Sequence, residues 1–244
     1  MILDEHRKPR SEGFVAMVDA ALEAWGARWP LYLAVALACI GIQTAVAYIA
    51  RFDDITILIA NCIVDGYATA FFTIAIAAQR QEVKASAAQI ARAALRRSPV
   101  VIIVYFGIPI VMIAFTPLIF GSADETLYGL GAIPWLVIFG IVYVATVIAC
   151  LDTSRPAYAQ PGFALLRSLM FLRSWANIWR LAVGGAIIVV AIMMEWLLAL
   201  YLAHRGMPTA QNGFWSNIPI DALVLGPTQA FFTYLYMDLM AREG

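Results

Sequence analysis

From Trp29 to Ala50 the chain runs 22 residues without a charged side chain. At helical rise such a run reaches about 33 Å, enough for a hydrocarbon core about 30 Å thick. A backbone in that environment must satisfy its own polar groups, so the run is expected to be helical. Mostly apolar runs recur at Ile55–Gln79, Pro99–Phe120, Ile133–Leu151, Trp179–Leu202 and Ile218–Met240. The composition agrees: 63% of the residues are hydrophobic and 13% charged, against roughly 25% charged in soluble domains. The expectation is an all-α, polytopic membrane protein, one membrane domain over residues 1–244, with six transmembrane helices in three hairpins.

Each hairpin is preceded by an amphipathic stretch too polar to span. Residues 11–28 place Phe14, Val18, Leu22 and Trp25 on one helical face and Glu12, Asp19 and Glu23 on another. In the next stretch Val83, Ala87, Ile90 and Ala94 oppose Lys84, Gln89, Arg92 and Arg96, a basic face suited to anionic lipid headgroups. Gly162–Asn177 mixes Leu, Phe and Trp with Arg167 and Arg173. The chain therefore reads as one unit used three times, over 11–80, 81–155 and 162–244. Ala70-Phe71-Phe72-Thr73 returns as Ala230-Phe231-Phe232-Thr233, and Thr73, Thr146 and Thr233 hold comparable places. The plainer alternative is that any three apolar hairpins look alike.

Lys and Arg are distributed unevenly. Four precede the first span, five separate spans two and three, four lie between spans four and five when Arg180 at the head of span five is included, and one follows span six; the remaining loops hold only Arg51 and Arg205. By the positive-inside rule both termini are expected in the cytoplasm, in a multi-pass protein of the cytoplasmic (inner) membrane. The polar first 28 residues lack the short apolar core of a cleavable signal, so the first span is expected to direct insertion. A formal net charge of zero gives no electrostatic reason to bind nucleic acid. Membrane lipids are the expected partners, with another membrane protein as a further one.

Within the spans one polar stripe stands out. Asn61, Asp65, Thr69 and Thr73 are four residues apart and share a helix face, and Asp221, Leu225, Gln229 and Thr233 repeat the spacing in the last span. Asp65 lies near the bilayer midplane, where an acid costs about 2.5 to 3.5 kcal/mol on insertion scales. It is therefore expected to face the bundle interior, near Thr228 or Gln229. Glu195 is a further intramembrane acid. These residues could form a protonatable path, or could simply hydrogen-bond helix to helix.

Catalytic patterns are sparse. His6 and His204 both lie outside the apolar runs, which removes zinc-protease chemistry and a base for an intramembrane serine. Asp65-Gly66-Tyr67-Ala68 begins like a phospholipid-synthase motif, but Ala70 stands where its Arg belongs. Asp65 and Asp221 lack the flanking glycines of an intramembrane aspartyl dyad. Cys39, Cys62 and Cys150 have no paired spacing for a disulfide framework or a zinc site. Gly184 and Gly185 suit close helix contact. No catalytic residue, metal site or cofactor is expected.

At the C-terminus Leu235-Tyr236-Met237-Asp238-Leu239, followed by Arg242-Glu243-Gly244, resembles the close of a six-helix bacterial membrane domain that is also found fused to glycerophosphoryl diester phosphodiesterases. The resemblance implies a membrane domain without the phosphodiesterase's acids and metal ligands, which belong to the other module. The expected function is a non-enzymatic scaffold or accessory component organising lipid or a protein partner; the alternative is a small-solute or proton-coupled transporter or channel.

Overall fold

The computed structural model describes residues 13–51, 53–107 and 125–243, and all regular secondary structure among them is helical. The helices are α1 (Phe14–Ala27), α2 (Trp29–Ile49), α3 (Asp54–Arg80), α4 (Ala87–Tyr105), α5 (Glu125–Leu151), α6 (Gln160–Met170), α7 (Trp175–His204) and α8 (Thr209–Glu243). Among the described residues three helical stretches, Trp29–Ile49, Ile55–Arg80 and Trp175–His204, are long and apolar enough to cross a membrane, and Leu136–Leu151 forms a shorter apolar one. Most of the expected third span, from residue 108 on, lies outside the described residues.

Local signals account for the helix ends. Pro30 sits in the first turn of α2, where its missing N–H costs nothing. Asp53 caps α3 by accepting from the Thr56 backbone N–H at 2.9 Å. Ser86 and Gln89 form a reciprocal capping box at the start of α4.

The helix boundaries depart from expectation in two places, and the packed face of α1 departs as well. The second amphipathic stretch and the start of the third span are one continuous helix, α4, which passes through Pro99. Proline removes the N–H that would bond the Leu95 carbonyl, and the Ser98 hydroxyl donates to that carbonyl instead, at 3.1 Å. The third amphipathic stretch ends at Met170; a 3-10 turn over Phe171–Arg173 and an extended Ser174 separate it from α7, which begins at Trp175. In α1 the fully packed residues are Met17, Ala21 and Ala24, while Leu22 is 50% exposed. The small side chains let α1 lie close on α8, where the Trp25 indole covers Gly226.

Helices α3, α5 and α8 touch one another and form the centre of the bundle. Around them α2 packs on α3 and α8, α4 on α3 and α5, and α7 on α5 and α8. The amphipathic elements follow the same order: α1 lies on α8, α4 begins against α3, and α6 lies on α5. The core fills the C-terminal halves of the central helices, where Ala68–Ala78, Phe139–Cys150 and Thr228–Leu239 are buried without a break. The other half of α3 is looser, with Ile55, Leu58, Ile59 and Ile63 exposed.

Two glycines set the tightest crossing. A β-carbon on Gly140 would overlap the Leu181 backbone on α7, and one on Gly185 would overlap the Leu136 backbone on α5. This reciprocal arrangement explains why glycine stands in the middle of two helices it would otherwise weaken.

Candidate functional site

The polar stripe on α3 meets two different helices. Asp65 is half-buried, and its Oδ1 accepts a hydrogen bond from the Gln43 amide of α2 at 2.8 Å. One turn further on, Thr69 is fully buried and its hydroxyl lies 3.4 Å from the Gln229 amide of α8. Thr69 and Gln229 thus come together across the two repeated copies. Thr228 or Gln229 was the expected neighbour of Asp65; a hydrogen bond to its Oδ1 comes from Gln43, because α3 packs on α2 as well as on α8.

The remaining stripe residues divide by environment. Thr233 donates to the Gln229 carbonyl of its own helix at 2.7 Å, and Thr146 does the same to Tyr143 on α5. Thr73 is fully buried, as are Thr146 and Thr233. The buried side-chain atoms without a hydrogen-bond partner include Asn61 Oδ1, Thr73 Oγ1, Thr228 Oγ1 and Gln229 Oε1. All four belong to α3 or α8. Glu195 is half-buried on α7, which packs on α5 and α8, between the exposed Met194 and Trp196. Asp221 lies on α8, but its side chain is outside the described ones.

A second polar cluster was not anticipated. Asp238 on α8 is fully buried; Arg180 at the start of α7 donates to its Oδ2, and Arg242 Nε donates to the same oxygen at 2.9 Å. The Phe14 ring of α1 lies 5.9 Å from the Arg180 guanidinium and 4.9 Å from the Trp179 ring, which ties α1 to this charged centre. Nearby on α8, the Tyr234 ring carries the Arg80 guanidinium of α3 at 4.2 Å. Arg180 reads in sequence as one more flanking charge and Asp238 as part of a terminal signature. Their spacing of 58 residues gives no local hint of a pair.

Chemically, the stripe on α3 offers hydrogen bonds to neighbouring helices and the half-buried carboxylate of Asp65. Among the described residues no group of three His, Cys, Asp or Glu side chains could hold a metal ion. Cys39, Cys62 and Cys150 are free and buried, and the Cys150 thiol lies 3.6 Å from the Ala70 carbonyl of α3, in the packing between central helices. No protein-family model, curated protein or solved structure matches this chain.

Proposed function

We propose that the chain is a six-span protein of the cytoplasmic membrane, with both termini in the cytoplasm, and that it acts as a non-enzymatic scaffold or accessory component organising lipid or a protein partner. The observation that carries this reading is the use made of the one midplane carboxylate on α3: Asp65 takes the Gln43 amide and so fastens α2 to α3. Thr69 and Gln229 add a contact from α3 to α8. Intramembrane polar residues used in this way supply packing specificity. Membrane residence is supported by the apolar side chains that the long helices turn outward, among them Leu37 and Ile42 on α2 and Val190, Met193 and Leu197 on α7.

The cyclic order of helix contacts also supports three copies of one unit. Each amphipathic element lies on the second hairpin helix of the unit before it, with α8 preceding α1. Gly66 and Gly226 precede Thr73 and Thr233 by the same interval, and each is covered by a side chain from the following unit, Ile102 and Trp25 respectively.

Cysteine accessibility in intact cells tests the topology. Single cysteines at the exposed positions Arg51 and Arg205 are expected to react with an impermeant reagent, and those at Lys84 and Tyr158 only after permeabilisation. The reverse pattern would overturn the orientation.

A transport reading is favoured by the unpartnered acceptors and hydroxyls of Asn61, Thr73, Thr228 and Gln229. Buried groups of that kind usually bind water or a polar solute. Asp65→Asn separates the two readings: it abolishes proton-coupled flux in proteoliposomes if the seam is a path, and leaves partner or lipid co-purification unchanged if the seam is a fastening.

A further inference from the structure

The polarity of α6 is inverted relative to a helix on a water-soluble protein. The side turned toward the bundle carries Gln160, Ala164 and Ser168, all fully buried. The Gln160 amide donates to the Asp152 carbonyl at 2.7 Å, and Arg167 pairs with the Asp152 carboxylate at 3.3 Å. The opposite side is apolar, and Leu165, Leu166, Leu169 and Met170 are 38%, 66%, 46% and 45% exposed. In water the apolar side would turn inward. Here the protein has claimed the polar side and left the leucines out.

Flanking α6 in the chain are side chains suited to a membrane–water boundary. Tyr158 is 89% exposed, Trp175 80% and Trp179 45%; amphipathic rings favour headgroup level. Asp152 is the only acid between Leu151 and Trp179, against Arg155, Arg167 and Arg173. Arg167 engages Asp152, so the positive charge of the exposed Arg155 and Arg173 is not offset within the segment. Arg155 is held over the Phe163 ring at 5.4 Å.

We infer that α6 lies in the headgroup layer of the cytoplasmic leaflet, with Leu166 and Leu169 among acyl chains, and that Arg155 and Arg173 bind the phosphates of anionic phospholipids. The apolar side favours lipid over a second copy of the chain. A two-fold contact through this face would bring four arginines together with no free carboxylate to answer them. A lipid surface of negative charge satisfies both the leucines and the arginines. The inference rests on the membrane-spanning reading and names the lipid class that the scaffold would organise.

The test uses the full chain in nanodiscs of phosphatidylcholine with one quarter phosphatidylglycerol. An environment-sensitive dye is placed at Leu166→Cys and, as a control, at Ile42→Cys on α2, which is 54% exposed. Quenching of both by acyl-chain nitroxides, with protection from iodide, is the expected result. Iodide quenching at the control would defeat the spanning reading itself; iodide quenching at Leu166 alone would overturn the placement of α6. In native mass spectrometry the wild-type protein is expected to retain phosphatidylglycerol over phosphatidylcholine. The double variant Arg155→Gln with Arg173→Gln is expected to lower that preference at least threefold, with an unchanged melting temperature. Equal retention by both proteins, or a Leu166–Leu166 cross-link between copies that is indifferent to lipid charge, would overturn the proposal.

Discussion

Gln43 donates its side-chain amide to Asp65 at 2.8 Å, joining α2 to α3 inside an apolar hairpin. The bond places the costliest side chain of α3 against the helix that precedes it, and makes the first hairpin a unit held by more than its turn. Replacing Gln43 with Leu is expected to cost about 0.6 to 1.7 kcal/mol, the range of such bonds between membrane helices. Asp65→Asn keeps a carbonyl oxygen for the Gln43 amide and is expected to unfold close to wild type. Thermal unfolding in detergent measures both, and a larger loss for Asp65→Asn than for Gln43→Leu would contradict the assignment.

The cluster of Arg180, Asp238 and Arg242 should behave as a buried charge pair with an outer partner. Removing one member of a buried pair strands the other, at a cost of about 3 to 5 kcal/mol. Asp238→Leu alone strands the buried Arg180 and is therefore expected to be severe, and Arg180→Met alone milder, because Arg242 still donates to Asp238. The double variant should recover much of the loss, because Arg242 is 35% exposed and can turn to water. An additive double-mutant cycle would mean that the two residues do not interact.

Glycine positions in the helices divide by what surrounds them. Gly185→Ala forces α5 and α7 apart and is expected to cost about 1 to 3 kcal/mol, as overpacking does. A β-carbon at Gly41 on α2 meets nothing within 4 Å. Gly41→Ala is expected to stabilise by about 0.5 to 1 kcal/mol through helix propensity. Opposite shifts in melting temperature are the result to look for, and equal shifts would argue against the α5–α7 crossing.

Asp53 lies in the turn between α2 and α3, and its carboxyl is held below its ordinary value of 3.8 by the Thr56 hydroxyl and then by the Thr56 N–H. A depressed folded value means that the cap's contribution is complete above the unfolded value and is lost as pH falls through the lower folded one. Asp53→Ala should therefore lower the melting temperature at pH 7. The gap to wild type is expected to narrow below about pH 4, where carboxylates protonate. A gap that stays constant to pH 2 would place the stabilisation elsewhere.

Periodicity and apolar length determined much of this protein without reference to any contact. Runs such as Trp29–Ala50 could only be helices, because no partner for the backbone exists in hydrocarbon. The two copies of Ala-Phe-Phe-Thr are equally buried, with both threonines and the second phenylalanine of each copy fully enclosed. The stripe through Asp65 and Thr69 named a polar face of α3, but not that Thr69 would be the residue to meet Gln229. Tertiary structure decided which helix each turn of that stripe would meet: periodicity names a face, but α3 has neighbours on both sides, and only their packing assigns Asp65 to Gln43. It also decided that Pro99 would be absorbed into α4, since the Ser98 hydroxyl supplies the donor that proline lacks. The pairing of Arg180 with Asp238 was settled in the same way. Local chemistry acts through neighbours in the chain, whereas a buried charge is stabilised by whatever the fold brings beside it.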